Sequence, residues 1–307
     1  MTTTAAPSVG TVPLPPGAAS PNALRDLVTL YTCTDADYGI WSRDFNMHFG
    51  LCDAGMNPFD REAMLDRMNA YVACKLQDAT QIVDLGCGTG ATARALVRAR
   101  PDTRVSGVTI VPAQIARGNA LNAASGLSDS IQLTLADYSN TGLQTSAYDA
   151  AYAIESACHA PGPDKRPLLV EARRLLKPSG KLVIADCFLR RRGPLPWTIR
   201  PAYRAWCRSW AVPELACLDD MCAALRETGY ADIEVEDVSW KVAPSVAHVP
   251  YVATRFLIAE LWKSRGRITP WRRRHIVASW LSVLLGLCRG SFAYCLITAR
   301  ATARSAS

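Results

Sequence analysis

"QIVDLGCGTGATARALVRA", residues 81–99, decides the fold. An apolar run from Ile82 to Leu85 meets glycines at every second position, Gly86, Gly88 and Gly90, and then passes into helix-forming residues. Glycine accepts the tight turns and close ligand approach that side chains forbid, so strand, glycine turn and helix read as the opening unit of a doubly wound α/β sheet. Asp84 brings a carboxylate to the mouth of that strand. The spacing is G-x-G-x-G, and the next strand run ends in "GVTIVPAQ" (107–114) with no acidic residue to hold a dinucleotide ribose.

Outward from this unit, short β-type runs alternate with helical patterns. "RVSGVTI" (104–110), "IQLTLAD" (131–137), "YDAAYAIES" (148–156) and "KLVIADCFL" (181–189) are buried-strand candidates. Helical patterns near 91–100, 112–124 and 164–176 lie between them, which predicts a mostly parallel sheet. "KPSG" (177–180) is expected to end a helix and turn into the fifth strand. The rhythm then breaks at "RRRGPLPWTIRPAYRAWCRSWAVPE" (190–214), aromatic, basic and proline-punctuated, which reads as a cap. A helix at 217–229, a strand "DIEVEDVS" (232–239), helices at about 247–263 and 269–288 and a final strand "FAYCLITA" (292–299) complete seven strands.

The predicted organisation is a disordered Pro/Ala/Thr tail over 1–21, an N-terminal helical cap segment over 22–80, and an α/β domain over 81–307 with substrate-lid insertions at about 190–216 and 240–290. At 49% apolar and 20% charged residues the composition is that of a globular protein. The longest apolar run, Ile276 to Cys288, stops at Arg289, short of the roughly 18–20 residues a bilayer demands. Eleven cysteines without a CxxC pair or zinc-like spacing suit small buried side chains in a reducing cytoplasm, and no metal site is expected. The tail lacks a signal peptide's basic start and apolar segment. The net charge of +7 gathers in "LRRRG" (189–193) and "WRRRH" (271–275), which suit a solvated face, anionic substrate groups or a membrane surface. No nucleic-acid-binding motif accompanies them. Peripheral membrane contact and homo-oligomerisation stay open.

The glycine segment resembles the first motif, D-x-G-x-G-x-G, of class I S-adenosylmethionine-dependent methyltransferases. "ADY" (136–138) matches the family's acidic residue after the third strand. The resemblance implies a Rossmann-like seven-stranded fold, S-adenosylmethionine as cofactor, and cofactor contacts from Asp84, Gly86, Cys87, Gly88, Gly90, Asp137 and Tyr138. "GVTIVPAQIARGNAL" (107–121) is similar to the "GITLSP-x-Q" variant of tocopherol-type and cyclopropane-fatty-acid methyltransferases, which adds Thr109, Ile110 and Gln114.

"YAIESACHAP" (152–161) closely resembles the "YAIEATCHAP" segment of sterol C-methyltransferases, and residues 210–245 resemble the matching stretch of the sterol and tocopherol group. "YGIWSRDFNMHFGL" (38–51) keeps aromatics and His48 but departs from the sterol enzymes' Y-x-x-G-W-G signature. The implied chemistry is methyl transfer to an alkene carbon of a sterol-like, squalene-like or prenyl diphosphate acceptor. The π electrons take the methyl, a carbocation forms one carbon away, and a neighbouring carboxylate takes a proton from it. Glu155, just past the fourth strand, is the candidate base. His159 either relays the proton or orients Glu155, and His48 is the third candidate catalytic residue. Aromatic walls exclude water and attract the cation, and the candidates are Tyr38, Trp41, Phe45, Trp197, Tyr203, Trp206, Trp210 and Phe256. For a diphosphate acceptor, "LRRRG" or Arg200 could supply cationic contacts. The alternatives are C-methylation of a tocopherol-like aromatic ring and O-methylation of a phenol.

Overall fold

The computed structural model describes residues 21–263 and 265–303. The expected tail therefore lies outside the described residues except for Pro21, which opens the first helix. The N-terminal segment contributes α1 (Pro21–Thr34), the short α2 (Tyr38–Trp41) and α3 (Arg61–Lys75). The alternating region follows as β1 (Gln81–Leu85), α4 (Ala91–Ala99), β2 (Arg104–Thr109), α5 (Pro112–Ala124), β3 (Ile131–Leu135), β4 (Tyr148–Ile154), α6 (Arg166–Leu175) and β5 (Leu176–Leu189). Next come α7 (Arg200–Trp210), α8 (Leu218–Glu227), β6 (Tyr230–Asp237), α9 (Ser239–Val246), α10 (Val249–Lys263), α11 (Pro270–Leu287) and β7 (Phe292–Ala301).

The strands form one seven-stranded sheet in the order β3-β2-β1-β4-β5-β7-β6. All neighbours pair parallel except β7, which runs antiparallel to both β5 and β6. The central strands β1, β4 and β5, with β7, are buried on both faces and so read as apolar runs, whereas the edge strand β6 is largely exposed and alternates. Alternation persists in where the side chains go: Val83, Leu85, Ala151 and Ala153 pack on one face with α6 and α8, while Ile82, Ala150 and Tyr152 pack on the other with α3 and α4. Leu168, Leu169, Ala172 and Leu175 bury one stripe of α6, the spacing an amphipathic helix needs.

The order reverses at β1, whose two neighbours are β2 and β4. This is the switch point where open α/β sheets bind ligands, beyond the carboxyl ends of the strands. Parallel register sets Asp84 beside Tyr152 there.

Three boundaries differ from the sequence reading. "KPSG" lies inside β5, which starts directly at Leu176 with a register irregularity against β4 and Ser179 at φ +63°. The stretch read as one helix at 247–263 is preceded by a separate α9, and the cap at 190–214 contains α7. Arg and Trp crowding in that cap masks the helical spacing of Cys207 with its neighbours, which pack with Val212, Leu215, Leu285 and Phe292 as a third small core.

Candidate active site

At the end of β1 the amides of Gly86 and Cys87 both donate to the Val108 carbonyl, each at 2.9 Å, which folds the glycine turn over β2. Gly86 sits at φ +94° and Gly88 at φ +53°, where side chains are strained. A Cβ on Gly86 would meet Ser156 Cβ at 2.4 Å, and one on Gly88 would meet Met47 Sδ at 2.8 Å. The turn thus has glycine's shape and no other residue's.

Beside it lies a cleft lined among others by Asp84, Gly88, Thr109, Gln114 and Asp137. Asp84 is buried and accepts a 2.7 Å hydrogen bond from Tyr152 Oη. Burial raises its carboxyl to about 7, against the lowering effect of Tyr152. A cationic group seated beside it would restore the carboxylate. Asp137 Oδ1 accepts from Ser139 N and Oγ, both at 2.8 Å, and Tyr138 Oη donates to the Ser156 carbonyl at 3.0 Å. Thr109 Oγ1 donates to Gln114 Oε1 at 2.6 Å, so these two side chains hold each other. Cys87, Ile110 and Tyr138 also line the cleft. Gly90 lines neither this cleft nor the neighbouring cavity. It turns the backbone into α4 at φ +77°. A shape-restricted glycine turn, a buried carboxylate able to meet a cation and a second carboxylate at the far strand end fit a cationic nucleoside cofactor.

The cleft meets a second cavity. Among the described residues, Tyr31, Met47, His48, Glu155 and His159 line both. Tyr38, Trp41, Trp206, Trp210 and Phe256 make much of its wall, and none of the described residues that line it is Lys or Arg. Trp206 and Trp210 both donate their indole N–H to Ser282 Oγ, at 2.8 and 3.3 Å, which fixes the two rings against α11.

Three aromatics expected in this wall lie elsewhere. Trp197 precedes α7, is 80% exposed and lines neither cavity. Tyr203 stacks behind Trp206 and against Phe292, and its hydroxyl accepts from Leu215 N at 2.7 Å, so it packs the third core. Phe45 lines the cofactor-side cleft instead, beneath the guanidinium of Arg117 at 4.6 Å. An aromatic residue type says nothing of direction on a helix or loop, and these are the places where direction decided.

Glu155 joins the end of β4 to a 3₁₀ turn, Ala157–His159, in the left-handed region at φ +48°. Its amide donates to the Ala185 carbonyl at 2.8 Å, tying the bend to β5. Both donors to its carboxyl fall on Oε1: the Phe49 main-chain N–H at 2.6 Å and Tyr294 Oη at 2.9 Å. Burial raises the carboxyl to about 8; the Phe49 amide opposes this, Asp186 adds to it, and Tyr294 opposes it. Asp186 accepts from Cys158 N at 2.8 Å and Cys187 N at 2.7 Å, and burial lifts it to about 6.

His159 Nε2 stands 3.1 Å from Tyr31 Oη, and burial lowers the imidazole to about 4, so it is neutral near pH 7. Its loop is pinned by Lys165, a buried lysine that donates to the carbonyls of Cys158, Ala160 and Glu214 at 3.2, 2.9 and 2.7 Å. His48 spends both ring nitrogens locally: Nε2 is 3.0 Å from Asn69 Oδ1 and Nδ1 is 2.9 Å from the Phe49 carbonyl. The peptide whose N–H reaches Glu155 is steadied by Trp41, whose indole N–H donates to the His48 carbonyl at 3.1 Å.

Sequence reasoning did not single out Tyr31, Met47, Lys165, Asp186 or Tyr294. Asp186 had a usable signal, since it stands near the carboxyl end of a predicted strand. Tyr294 had none, because it arrives from antiparallel β7, 139 residues after Glu155.

A glycine-turn cleft at the switch point, meeting an aromatic cavity at a buried carboxylate, is the arrangement of a Rossmann-like group-transfer enzyme that uses a nucleoside cofactor. Residues 82–180 match the family model described as a methyltransferase domain. The protein is 30% identical over 201 residues to an O-methyltransferase of Pyrenophora dematioidea, covering 64% of this chain and 73% of that one. It is 29% identical over 226 residues to a probable chloroplastic tocopherol O-methyltransferase of Oryza sativa, covering 68% of this chain and 61% of that relative's length. A solved geranyl diphosphate C-methyltransferase from Streptomyces coelicolor shares the fold, with a TM-score of 0.64 at 19% identity over 93% of this chain and all of that one. The chain belongs to the S-adenosylmethionine-dependent methyltransferases, and S-adenosylmethionine is the cofactor of that family.

Proposed function

We propose that this enzyme methylates an alkene carbon of a neutral terpenoid or prenyl acceptor held in the aromatic cavity. One observation carries the reading: Glu155 is the only carboxylic acid among the described residues that lines both the cofactor cleft and the acceptor cavity. In this reading Asp84, the glycine turn, Thr109, Gln114 and Asp137 hold the cofactor, while the segments 22–80, 190–216 and 240–290 cap the acceptor. S-adenosylmethionine supplies an electrophilic methyl group when bound.

The alkene needs no nucleophile from the protein, so alignment is the protein's main task. As the acceptor's π pair takes the methyl, positive charge develops on the adjacent carbon. The faces of Trp206, Trp210 and Tyr38 attract that charge and exclude water. Glu155 then accepts the proton whose loss forms the product alkene. Because both donors occupy Oε1, Oε2 is the oxygen left to take it.

The wall chemistry favours a neutral acceptor over a prenyl diphosphate. Among the described residues the lining acids are Asp37, Glu155 and Asp186, with no Lys or Arg to meet phosphate oxygens. Of the basic residues after β5, Arg190 pairs with Asp237 at 2.5 Å, Arg192 pairs with Asp220 at 2.6 Å, Arg200 donates to the Leu195 carbonyl, and Arg191 is exposed and lines neither cavity. No group of three His, Cys, Asp or Glu among the described residues is placed to hold a metal ion.

O-methylation of a phenol is the second reading, favoured by relatives named as O-methyltransferases and by neutral His159 at the junction. Incubation with labelled S-adenosylmethionine and squalene-like, sterol, prenyl alcohol, prenyl diphosphate and phenolic acceptors separates the two. A new methyl on carbon of a neutral alkene is expected. A methyl on oxygen, or turnover confined to diphosphates, overturns the proposal.

A further inference from the structure

The two helices that wall the acceptor cavity, α10 and α11, also present apolar residues to solvent. On α11 the exposed positions are Val277, Trp280, Leu284 and Leu287, spaced three and four apart, which places them in one stripe. The helix has 18 residues, so the stripe runs along a rod of about 27 Å. Arg273 continues it toward the N-terminus. Trp280 is 45% and Leu287 76% exposed. On α10 the inward positions are Val249, Ala253, Phe256 and Glu260, and Tyr251, Ile258 and Trp262 lie on the opposite side, with Trp262 89% exposed. At the end of α11, Arg289 lies 4.4 Å over the ring of Trp240, which is itself 79% exposed.

Exposed tryptophan and leucine in ordered helices need a partner, and charge identifies it. Between Val249 and Arg289 the sequence holds eight Lys and Arg against one acidic residue, Glu260. Of these, Arg255, Arg265, Arg267 and Arg273 are exposed, while Glu260 is buried and paired with Arg272; a surface with that balance repels a second copy of itself and attracts an anionic one. Apolar helical stripes edged by arginine, with tryptophan among them, have the composition of helices that lie in a lipid interface. No helix among the described residues is long and apolar enough to cross a membrane.

We propose that the exposed faces of α10 and α11, with Trp240, dock this enzyme on an anionic lipid bilayer. The opposite faces of the same helices, through Val252, Ala253, Phe256 and Ile276, line the acceptor cavity. Docking therefore sets that cavity's helical wall against the membrane, where apolar acceptors partition. The inference rests on this surface and holds whichever acceptor atom is methylated.

Flotation of the full-length protein with phosphatidylcholine vesicles, with and without phosphatidylglycerol, tests it. Binding is expected to be stronger to the anionic vesicles by roughly tenfold or more and to weaken as salt rises. A Trp280→Glu/Leu284→Glu variant and an Arg267→Glu/Arg273→Glu variant should each lose about tenfold in vesicle affinity. All four positions are exposed, so unchanged cofactor binding by calorimetry shows that the variants remain folded. Vesicle binding that is absent, indifferent to phosphatidylglycerol, or unchanged in both variants overturns the proposal. So does a dimer in light scattering that Trp280→Glu/Leu284→Glu dissociates, since a second copy would then cover the face.

Discussion

Replacing Glu155 by Gln separates the base proposed here from a residue that merely holds the fold. The amide keeps an oxygen for the Phe49 N–H and the Tyr294 hydroxyl, so the bend at φ +48° and its ties to β5 and β7 should persist. The ordinary glutamate value of 4.5 applies to the unfolded state, and burial raises the folded group to about 8. Between those values the unfolded state has released a proton that the folded protein retains, so rising pH favours unfolding through this group. At about 1.4 kcal/mol per tenfold change in proton activity, the interval amounts to on the order of 4–5 kcal/mol as an upper bound. Without cofactor, the Gln variant should match or exceed the parent in melting temperature at pH 8, with a flatter decline from pH 5. Turnover should fall by roughly 10²–10⁴-fold, the range for a lost acid–base group, and the surviving product should shift toward deprotonation at another carbon or capture of water. Parent turnover should climb with pH as the carboxyl ionises. Thermal unfolding across pH 5–8.5 and mass spectrometry of labelled products read both effects. A folded Gln variant with parental rate and products would refute the reasoning, as would one that melts well below the parent at pH 8.

Asp84→Ala and Gly88→Val should each abolish measurable S-adenosylmethionine binding by calorimetry, the first by removing the carboxylate and the second by driving side-chain atoms into Met47 Sδ. Trp206→Ala should raise the acceptor KM or cut kcat at least tenfold with cofactor affinity kept, whereas Trp197→Ala, at an exposed site outside both cavities, should leave steady-state kinetics unchanged. Tyr294→Phe removes a hydrogen bond that lowers the Glu155 carboxyl, so the rising limb of the pH–rate profile should move to higher pH, with the loss recovered in alkaline buffer. Chelators should leave turnover unaffected, since the neutral acceptor proposed here calls for no metal.

The seven strands and the glycine turn were legible because they are local features. A run such as Ile82–Leu85 buries itself on both faces, and alternating glycines permit a sharp backbone turn whatever the rest of the molecule does. The position of Glu155 was legible for a similar reason: in a parallel sheet the residue after a switch-point strand faces the ligand cleft. What stayed hidden depends on long-range packing. Trp197 and Tyr203 look equivalent to Trp206 in composition, but α7 turns only Trp206 and Trp210 toward the cavity. Lys165 reads as a solvated charge, yet it is buried because three carbonyls from two separated loops converge on its ammonium.

The electrostatics of the paired cavities follow from how the acids are buried. Asp84, Glu155 and Asp186 are each raised by desolvation; the buried Lys165 draws Asp186 part of the way back, and no described residue lining either cavity is Lys or Arg. A permanently charged carboxylate in an apolar chamber would be costly to fold and would compete as a nucleophile for a cationic intermediate. A carboxyl raised to about 8 avoids much of that cost at rest and ionises more readily when positive charge arrives beside it. The two donors on Oε1 set limits on both states: they orient the group, and they keep the proton-bearing role on Oε2. An acid held this way is a stronger base, once ionised, than an exposed glutamate, and it stands where charge developing on an acceptor alkene would call it into use.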